Sequence, residues 1–197
     1  MIRLAVWASG QGSNAEILWR YFELHPKIRV VHVVCSHPKA AVLEKAQRSG
    51  LDISLYPHPE KTTENLLKIF QEKDIQGHLL AGYLKPVPEA IICCYRHRIL
   101  NIHPSLLPKY GGRGMYGLHV HRAVVQGREA WSGISIHCVT EQYDQGPVLF
   151  QAQIPVPQGA TPEDLSLLIK DLEHRYYAPV AEAYFCGELP HVATGHP

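Results

Sequence analysis

The sequence lacks several features that mark particular classes of protein. Its 197 residues include five cysteines, but no two of them form a Cys-x-x-Cys pair. This argues against a zinc site or a redox motif and favours reduced thiols. No apolar run approaches membrane-spanning length, and the apolar N-terminal stretch reaches Gly10 too soon for a signal peptide. We therefore expect a cytoplasmic protein.

The chain also lacks a charge of one dominant sign. It has 19 basic and 18 acidic residues, so its formal net charge is +1. A broad nucleic-acid surface is therefore not expected, and small molecules are the expected partners. The length and an ordinary apolar content predict one domain over residues 1–189, followed by a loose tail over residues 190–197. We expect a monomer or a weak homodimer.

Apolar and helical patterns alternate through the first hundred residues. Strands are predicted at residues 2–7, 29–35, 53–56, 77–81 and 98–102, with helices at residues 15–21, 39–49, 62–73 and 89–95. This alternation predicts an α/β fold with a doubly wound, mostly parallel, Rossmann-like sheet. A further helix is predicted at residues 118–125.

The last third of the chain departs from that alternation. Residues 133–139 and 148–156 read as two strands, which predicts an antiparallel hairpin at the sheet edge. Thr161 followed by Pro162 and two acidic residues has the composition of a helix start. A long C-terminal helix is expected from there, and Pro179 should kink or interrupt it.

A glycine-rich loop, residues 9–14, separates the first strand from the first helix. Its backbone amides and the helix N-terminus could hold a phosphate, although a tight turn without a ligand would look the same. Gly10, Gly12 and Ala15 also satisfy a loose dinucleotide fingerprint. However, the second strand is not followed by the acidic residue that would hold a ribose hydroxyl, which counts against a nicotinamide dinucleotide.

An amide and an imidazole stand together where the fifth predicted strand ends. Pro104 restricts His103 to an extended conformation, and Asn101 lies two residues before it. If the strand continues, both side chains point to the same side, at the strand end where open α/β sheets bind ligands. The alternative is a polar strand end that leads into a proline-rich loop. Asp144, before Gln145-Gly146, could likewise be only a turn residue.

Histidine pairs can bind metals, and His119 and His121 are two residues apart near the start of a predicted helix. Two histidines without a third ligand nearby are more often structural. We therefore expect no metal.

Taken together, these stretches resemble the folate-dependent formyltransferases over nearly the whole chain. The motifs that carry the resemblance are Ala8-Ser9-Gly10-Gln11-Gly12-Ser13-Asn14, Ala81-Gly82-Tyr83, Asn101-Ile102-His103-Pro104-Ser105-Leu106-Leu107-Pro108-Lys109-Tyr110, Gly117-Leu118-His119-Val120-His121, Asp144-Gln145-Gly146-Pro147-Val148 and Glu173-His174.

The resemblance implies a reaction in purine biosynthesis. The formyl group of the co-substrate 10-formyltetrahydrofolate would pass to the amine of 5-phosphoribosylglycinamide (GAR), without a metal. The implied catalytic residues are Asn101, His103 and Asp144. The implied GAR contacts are Gly12, Ser13 and Asn14 for the phosphate, and Glu173 and Lys170 for the glycinamide side. The implied folate contacts are Leu84, Lys85, Pro86, Val87, Thr140, Glu141, Gln142 and Tyr143.

Some features depart from the family pattern. Residues 112–116 look inserted, and a basic residue used near the folate has no sure counterpart here, with Lys61 only a guess. Related alternatives are methionyl-tRNA formyltransferases, which carry a further C-terminal domain, and formyltetrahydrofolate hydrolases, which have a histidine at the position of Pro104. A dinucleotide-binding oxidoreductase or a non-catalytic nucleotide-binding module is a more distant alternative.

Overall fold

The centre of the protein is a seven-stranded sheet. The structure is a computed structural model that describes residues 1–57 and 62–189, so Lys61 and the expected tail at 190–197 lie outside the described residues. The strands are β1 (Ile2–Ala8), β2 (Ile28–Cys35), β3 (Asp52–Leu55), β4 (Gly77–Leu80), β5 (Ile99–His103), β6 (Trp131–Cys138) and β7 (Val148–Pro155). Their order across the sheet is β3-β2-β1-β4-β5-β6-β7.

The first five strands pair in parallel, whereas β6 and β7 are antiparallel to their neighbours. The predicted fold class, a doubly wound and mostly parallel sheet with an antiparallel edge hairpin, is therefore confirmed. The sheet order reverses between β1 and β4, where the connections lead to opposite sides. In open α/β sheets such a switch point opens a crevice at the carboxyl ends of the strands.

Helices cover both faces of the sheet. They are α1 (Ser13–Tyr21), α2 (Ala41–Arg48), α3 (Thr63–Glu72), α4 (Glu89–Cys94), α5 (Leu118–Gln126) and α6 (Pro162–Phe185). Alternate residues of β1 point into two separate cores: Leu4 and Val6 pack with α1, α2, α5 and α6, and Ala5 and Trp7 pack with α3 and α4. Burial on both faces explains why the parallel strands read as continuous apolar runs.

The C-terminal helix α6 confirms one expectation and corrects another. Thr161 accepts a hydrogen bond from the Asp164 amide and the Asp164 carboxylate accepts one from the Thr161 amide, which completes a capping box. Pro179 does not interrupt the helix, which runs through it for 24 residues, so of the two expected effects the interruption is wrong and a kink stays a prediction. The neighbours Tyr177, Ala178 and Ala181 are buried in the core, and this packing holds the helix together where proline removes a backbone bond.

No helix within residues 1–57 and 62–189 is long and apolar enough to cross a membrane. The cysteines at 35, 93, 94, 138 and 186 are free thiols.

Candidate active site

A cavity of about 530 Å³ opens at the carboxyl ends of β1, β4 and β5. It brings together almost every residue that the sequence predicts for the site; the exception is Gly12, which does not line the cavity. The predicted residues that line it are Ser13, Asn14, Leu84, Lys85, Pro86, Val87, Asn101, His103, Thr140, Glu141, Gln142, Tyr143, Asp144, Lys170 and Glu173. The loop at residues 112–117 forms part of the same wall.

The amide, imidazole and carboxylate predicted to act together meet in this cavity. Asn101 and His103 both lie on β5, two residues apart, and both line the cavity. The Asp144 carboxylate lies 3.5 Å from Nδ1 of His103 and 3.6 Å from Nε2 of His137. It also accepts a 2.9 Å hydrogen bond from the Gly112 amide. One carboxylate is therefore fixed between two buried imidazoles.

Burial and local charges set the protonation states of this cluster. Burial lowers the pKa of His103 below its usual value, although the Asp144 charge and the hydrogen bond to the Tyr110 carbonyl act in the opposite direction. For Asp144, burial raises the pKa, but the close His137 side chain, His103 and the Gly112 amide together outweigh it and lower the pKa. Near neutral pH, His103 is therefore a neutral base beside an ionised carboxylate.

His103 has a defined tautomer. Its Nε2 lies 2.8 Å from the Tyr110 carbonyl oxygen. Because a carbonyl oxygen only accepts, Nε2 carries the hydrogen in the neutral ring, and the lone pair is on Nδ1. Protonation at Nδ1 then creates a donor for Asp144. The geometry gives His103 one nitrogen for taking up and releasing a proton.

One end of the cavity lies at the N-terminus of α1. Gly12 precedes this helix with a φ of 70°, and no side chain caps the helix within the described structure. Nδ2 of Asn14 donates to Oε2 of Glu173 at 2.7 Å, whereas Oδ1 of Asn14 is buried and has no partner among the described residues. Unpaired first-turn amides and a helix dipole suit an anion. Burial raises the pKa of Glu173, with the Asn14 hydrogen bond and Lys170 opposing that rise.

The rest of the cavity has a more apolar character. Leu84 and Tyr143 expose 54% and 45% of their surface, a large share for apolar side chains next to a cavity. Three cations also line it, namely Lys85, Arg113 and Lys170, and within the described part of the chain none has an acidic partner at ion-pair distance. Such a lining suits a flat ring system and anionic groups at its periphery.

The comparison with protein families identifies this arrangement. The family model described as Formyl transferase matches residues 2–181, which is most of the chain and includes every strand. The chain belongs to the formyl transferase family.

Individual formyl transferases resemble it along most of its length. The phosphoribosylglycinamide formyltransferase of Escherichia coli is 31% identical over 194 residues, which is 95% of this chain and 89% of that protein. The chloroplastic phosphoribosylglycinamide formyltransferase of Arabidopsis thaliana is 34% identical over 92% of this chain. This chain spans only 64% of that plant relative's length. The crystal structure of glycinamide ribonucleotide transformylase 1 from Symbiobacterium toebii has a TM-score of 0.84 at 33% identity, covering 95% of this chain and 89% of that one.

The sequence does not predict two histidines of this cavity, His137 and His121, as site residues. His137 is 2% exposed, and its Nε2 accepts a 3.0 Å hydrogen bond from Nδ2 of Asn101. His121 is 3% exposed, and its buried Nδ1 has no partner among the described residues. His121 lines the cavity but the exposed His119 does not, because positions two apart on a helix point in different directions.

The described residues contain no group of three His, Cys, Asp or Glu side chains placed to hold a metal.

Proposed function

We propose that this formyl transferase moves the formyl group of 10-formyltetrahydrofolate to the primary amine of GAR, giving formyl-GAR and tetrahydrofolate. The observation that supports the proposal is the meeting of Asn101, His103 and Asp144 in one cavity, which also contains a helix start suited to an anion and exposed apolar side chains. Relatives that bear the name of this activity cover most of the chain. The proposed pathway is purine biosynthesis.

The first step is attack of the amine nitrogen on the formyl carbon, which converts the formyl oxygen into an oxyanion. Asn101 supplies the donor: one N–H of its amide is taken by His137, and the other is available to the oxyanion. Removal of a single donor of this kind typically costs about 10²–10³ in kcat.

The second step is a proton transfer. The attacking nitrogen becomes cationic and loses a proton. The oxyanion then re-forms the carbonyl, the bond between the formyl carbon and the folate nitrogen breaks, and that nitrogen leaves with a proton. His103 takes the first proton on Nδ1 and returns it, directly or through water, to the leaving nitrogen. Asp144 stabilises the imidazolium in between, since its carboxylate faces that same nitrogen at 3.5 Å. The proton count is unchanged at the end of the turnover.

The remote contacts hold the two substrates. The GAR phosphate binds at the start of α1, at Gly12, Ser13 and Asn14, while Glu173 and Lys170 face the glycinamide side. The two segments predicted for the folate, residues 84–87 and 140–143, also line the cavity. Binding energy from these distant groups helps align the reacting atoms.

A direct assay tests the proposal. Purified protein should transfer the formyl group from 10-formyltetrahydrofolate to synthetic GAR. We expect His103→Ala to lower kcat by about 10²–10⁴-fold, the usual contribution of a general base. The matched control is His119→Ala, which removes an exposed histidine outside the cavity and should retain full activity.

Two outcomes would contradict the proposal. One is no transfer by the native protein, or equal rates for the native protein and His103→Ala. The other is release of formate from the folate at the same rate with and without GAR, which would instead indicate a hydrolase.

The proposal also covers the location, the partners and the oligomeric state of the enzyme. Free thiols at all five cysteines are consistent with a cytoplasmic location. The nearly balanced charge is consistent with small-molecule partners, without nucleic acid or membrane. A monomer or weak homodimer is proposed, and light scattering over a range of concentrations tests it.

A further inference from the structure

The tautomer of His103 depends on a backbone carbonyl whose residue, Tyr110, has an unusual backbone conformation. Tyr110, whose carbonyl oxygen accepts from Nε2 of His103, has a φ of 56°. This left-handed region is unfavourable for a residue with a Cβ. Such a conformation persists only where other contacts hold it.

The contacts that hold Tyr110 lie outside the cavity. Its hydroxyl donates to Oε1 of Glu129 at 2.9 Å. Lys109 donates to both oxygens of the same carboxylate, at 3.0 and 3.1 Å. Both contacts lower the pKa of Glu129, which keeps it ionised and a strong acceptor.

The surroundings leave the Tyr110 hydroxyl little room to move. Gly127, just after α5, lies so close that a Cβ built there would be 2.4 Å from that hydroxyl oxygen. None of Lys109, Tyr110, Gly127 and Glu129 lines the cavity. This group is therefore separate from the cavity lining.

We propose that Tyr110 and Glu129 are positioning residues that decide which ring nitrogen of His103 carries the proton. The inference rests on the proposed function for its catalytic consequence. The Glu129 carboxylate fixes the Tyr110 side chain, which holds the left-handed backbone, and the carbonyl then retains hydrogen on Nε2. Without this chain of contacts, the hydrogen can move from Nε2 to Nδ1 and bond to Asp144. The lone pair then lies on Nε2, which does not face the reacting atoms.

The test uses two variants that break the hydrogen bond between Tyr110 and Glu129 and one that leaves it intact. Tyr110→Phe keeps the ring but removes the hydroxyl, and Glu129→Ala removes the acceptor. Lys109→Met removes the exposed ion pair to Glu129 but leaves the hydrogen bond from the Tyr110 hydroxyl to that carboxylate, and it serves as the control. Nitrogen NMR of the ligand-free proteins, with His103→Asn used to assign the signals, reports which nitrogen of His103 is protonated.

We expect the native protein and Lys109→Met to show hydrogen on Nε2, and the two breaking variants to show a mixture of tautomers. In the breaking variants, kcat should fall about tenfold while KM for both substrates stays within about twofold, because orientation but not binding is lost. The acid limb of the kcat profile should move to lower pH, since the Tyr110 carbonyl raises the pKa of His103. Glu129→Gln, whose amide oxygen can still accept, should restore most of kcat.

A purely structural role would lower the melting temperature and leave both the tautomer and the pH profile as in the native protein, and that result would overturn the inference. The NMR measurement needs no substrate. Consequently, if the native protein fails to transfer a formyl group, the proposed function fails while the tautomer experiment still decides the role of Tyr110 and Glu129.

Discussion

At the scale of single residues, the contact between Asn101 and His137 determines how the amide is presented. Nδ1 of His137 donates to the Cys138 carbonyl at 2.9 Å, so its Nε2 bears the lone pair that accepts from Nδ2 of Asn101. The amide is thereby held with its nitrogen toward β6. Its second N–H remains free for an oxyanion.

A double-mutant cycle tests whether His137 acts through Asn101. We expect His137→Ala to lower kcat about tenfold in the native background, because the amide loses its fixed orientation. In the Asn101→Ala background the same change should cost less than about twofold, since there is no amide left to orient. Equal losses in both backgrounds would show that His137 acts independently of Asn101.

The charge of Asp144 should be visible in the pH dependence of the reaction. In the proposed mechanism activity requires neutral His103, so we expect it to fall as the pH drops through the pKa of that residue. Asp144 raises this pKa against the effect of burial. We expect Asp144→Asn to lower kcat and to move the acid limb of the kcat/KM profile to lower pH. A shift to higher pH in pre-steady-state or steady-state profiles would contradict this account.

The sequence predicts Asn101 and His103 as neighbours because a spacing of two along a strand fixes the side to which they point. It does not predict His137 in the same way. The position of His137 opposite Asn101 depends on antiparallel pairing between β5 and β6, next to a register shift after Ile136. A local pattern carries no information about such a register.

At the scale of elements, the turn before α1 has a strict requirement at one glycine. Gly12 combines a φ of 70° with close packing, since a Cβ there would lie 2.3 Å from Cγ2 of Val42. By contrast, a Cβ at Gly10 meets nothing within 4 Å. The same loop therefore contains a residue that must be glycine and one that need not be.

We expect Gly12→Ala to lower the free energy of unfolding by about 2–4 kcal/mol, from backbone strain and overpacking together. It should also raise KM for GAR, because the start of α1 moves. Gly10→Ala is the matched control and should change stability by less than about 0.5 kcal/mol. Urea unfolding and initial rates measure both effects, and equal stabilities for the two variants would refute the packing argument.

In the helix α6, one feature could be predicted from the sequence and another could not. Its start was predictable because Thr161 and Asp164 form a local capping box. Its passage through Pro179 was not, because the outcome depends on how strongly the flanking residues are buried by the sheet and by α1 and α5. Tertiary packing here outweighs the local preference of proline.

At the scale of the whole molecule, the alternating strands and helices predict the sheet class, but the two faces of the sheet differ in a way that the pattern does not reveal. The titrating cluster lies at the carboxyl ends of the strands, in a cavity lined by residues from both faces. On the face of the sheet that packs with α3 and α4, Trp7 donates to Nδ1 of a fully buried His78 at 3.0 Å. Phe70 and Tyr95 also pack on that imidazole. We therefore expect His78 to contribute to the stability of the fold.

His78 should make the whole protein sensitive to acid. Burial lowers its pKa from 6.5 to about 3, so between these values the unfolded chain binds a proton that the native protein does not. Stability contributed by neutral His78 is present above pH 6.5 and is lost at about 1.4 kcal/mol per pH unit as the pH falls toward 3.

We expect His78→Met to be less stable at neutral pH, because the Trp7 donor loses its acceptor, but to show a shallower decline in acid. Urea unfolding across this pH range, with the exposed-site variant His119→Met as control, measures the slope. An unchanged slope in His78→Met would mean that other buried groups, such as His103 and His121, account for the acid sensitivity.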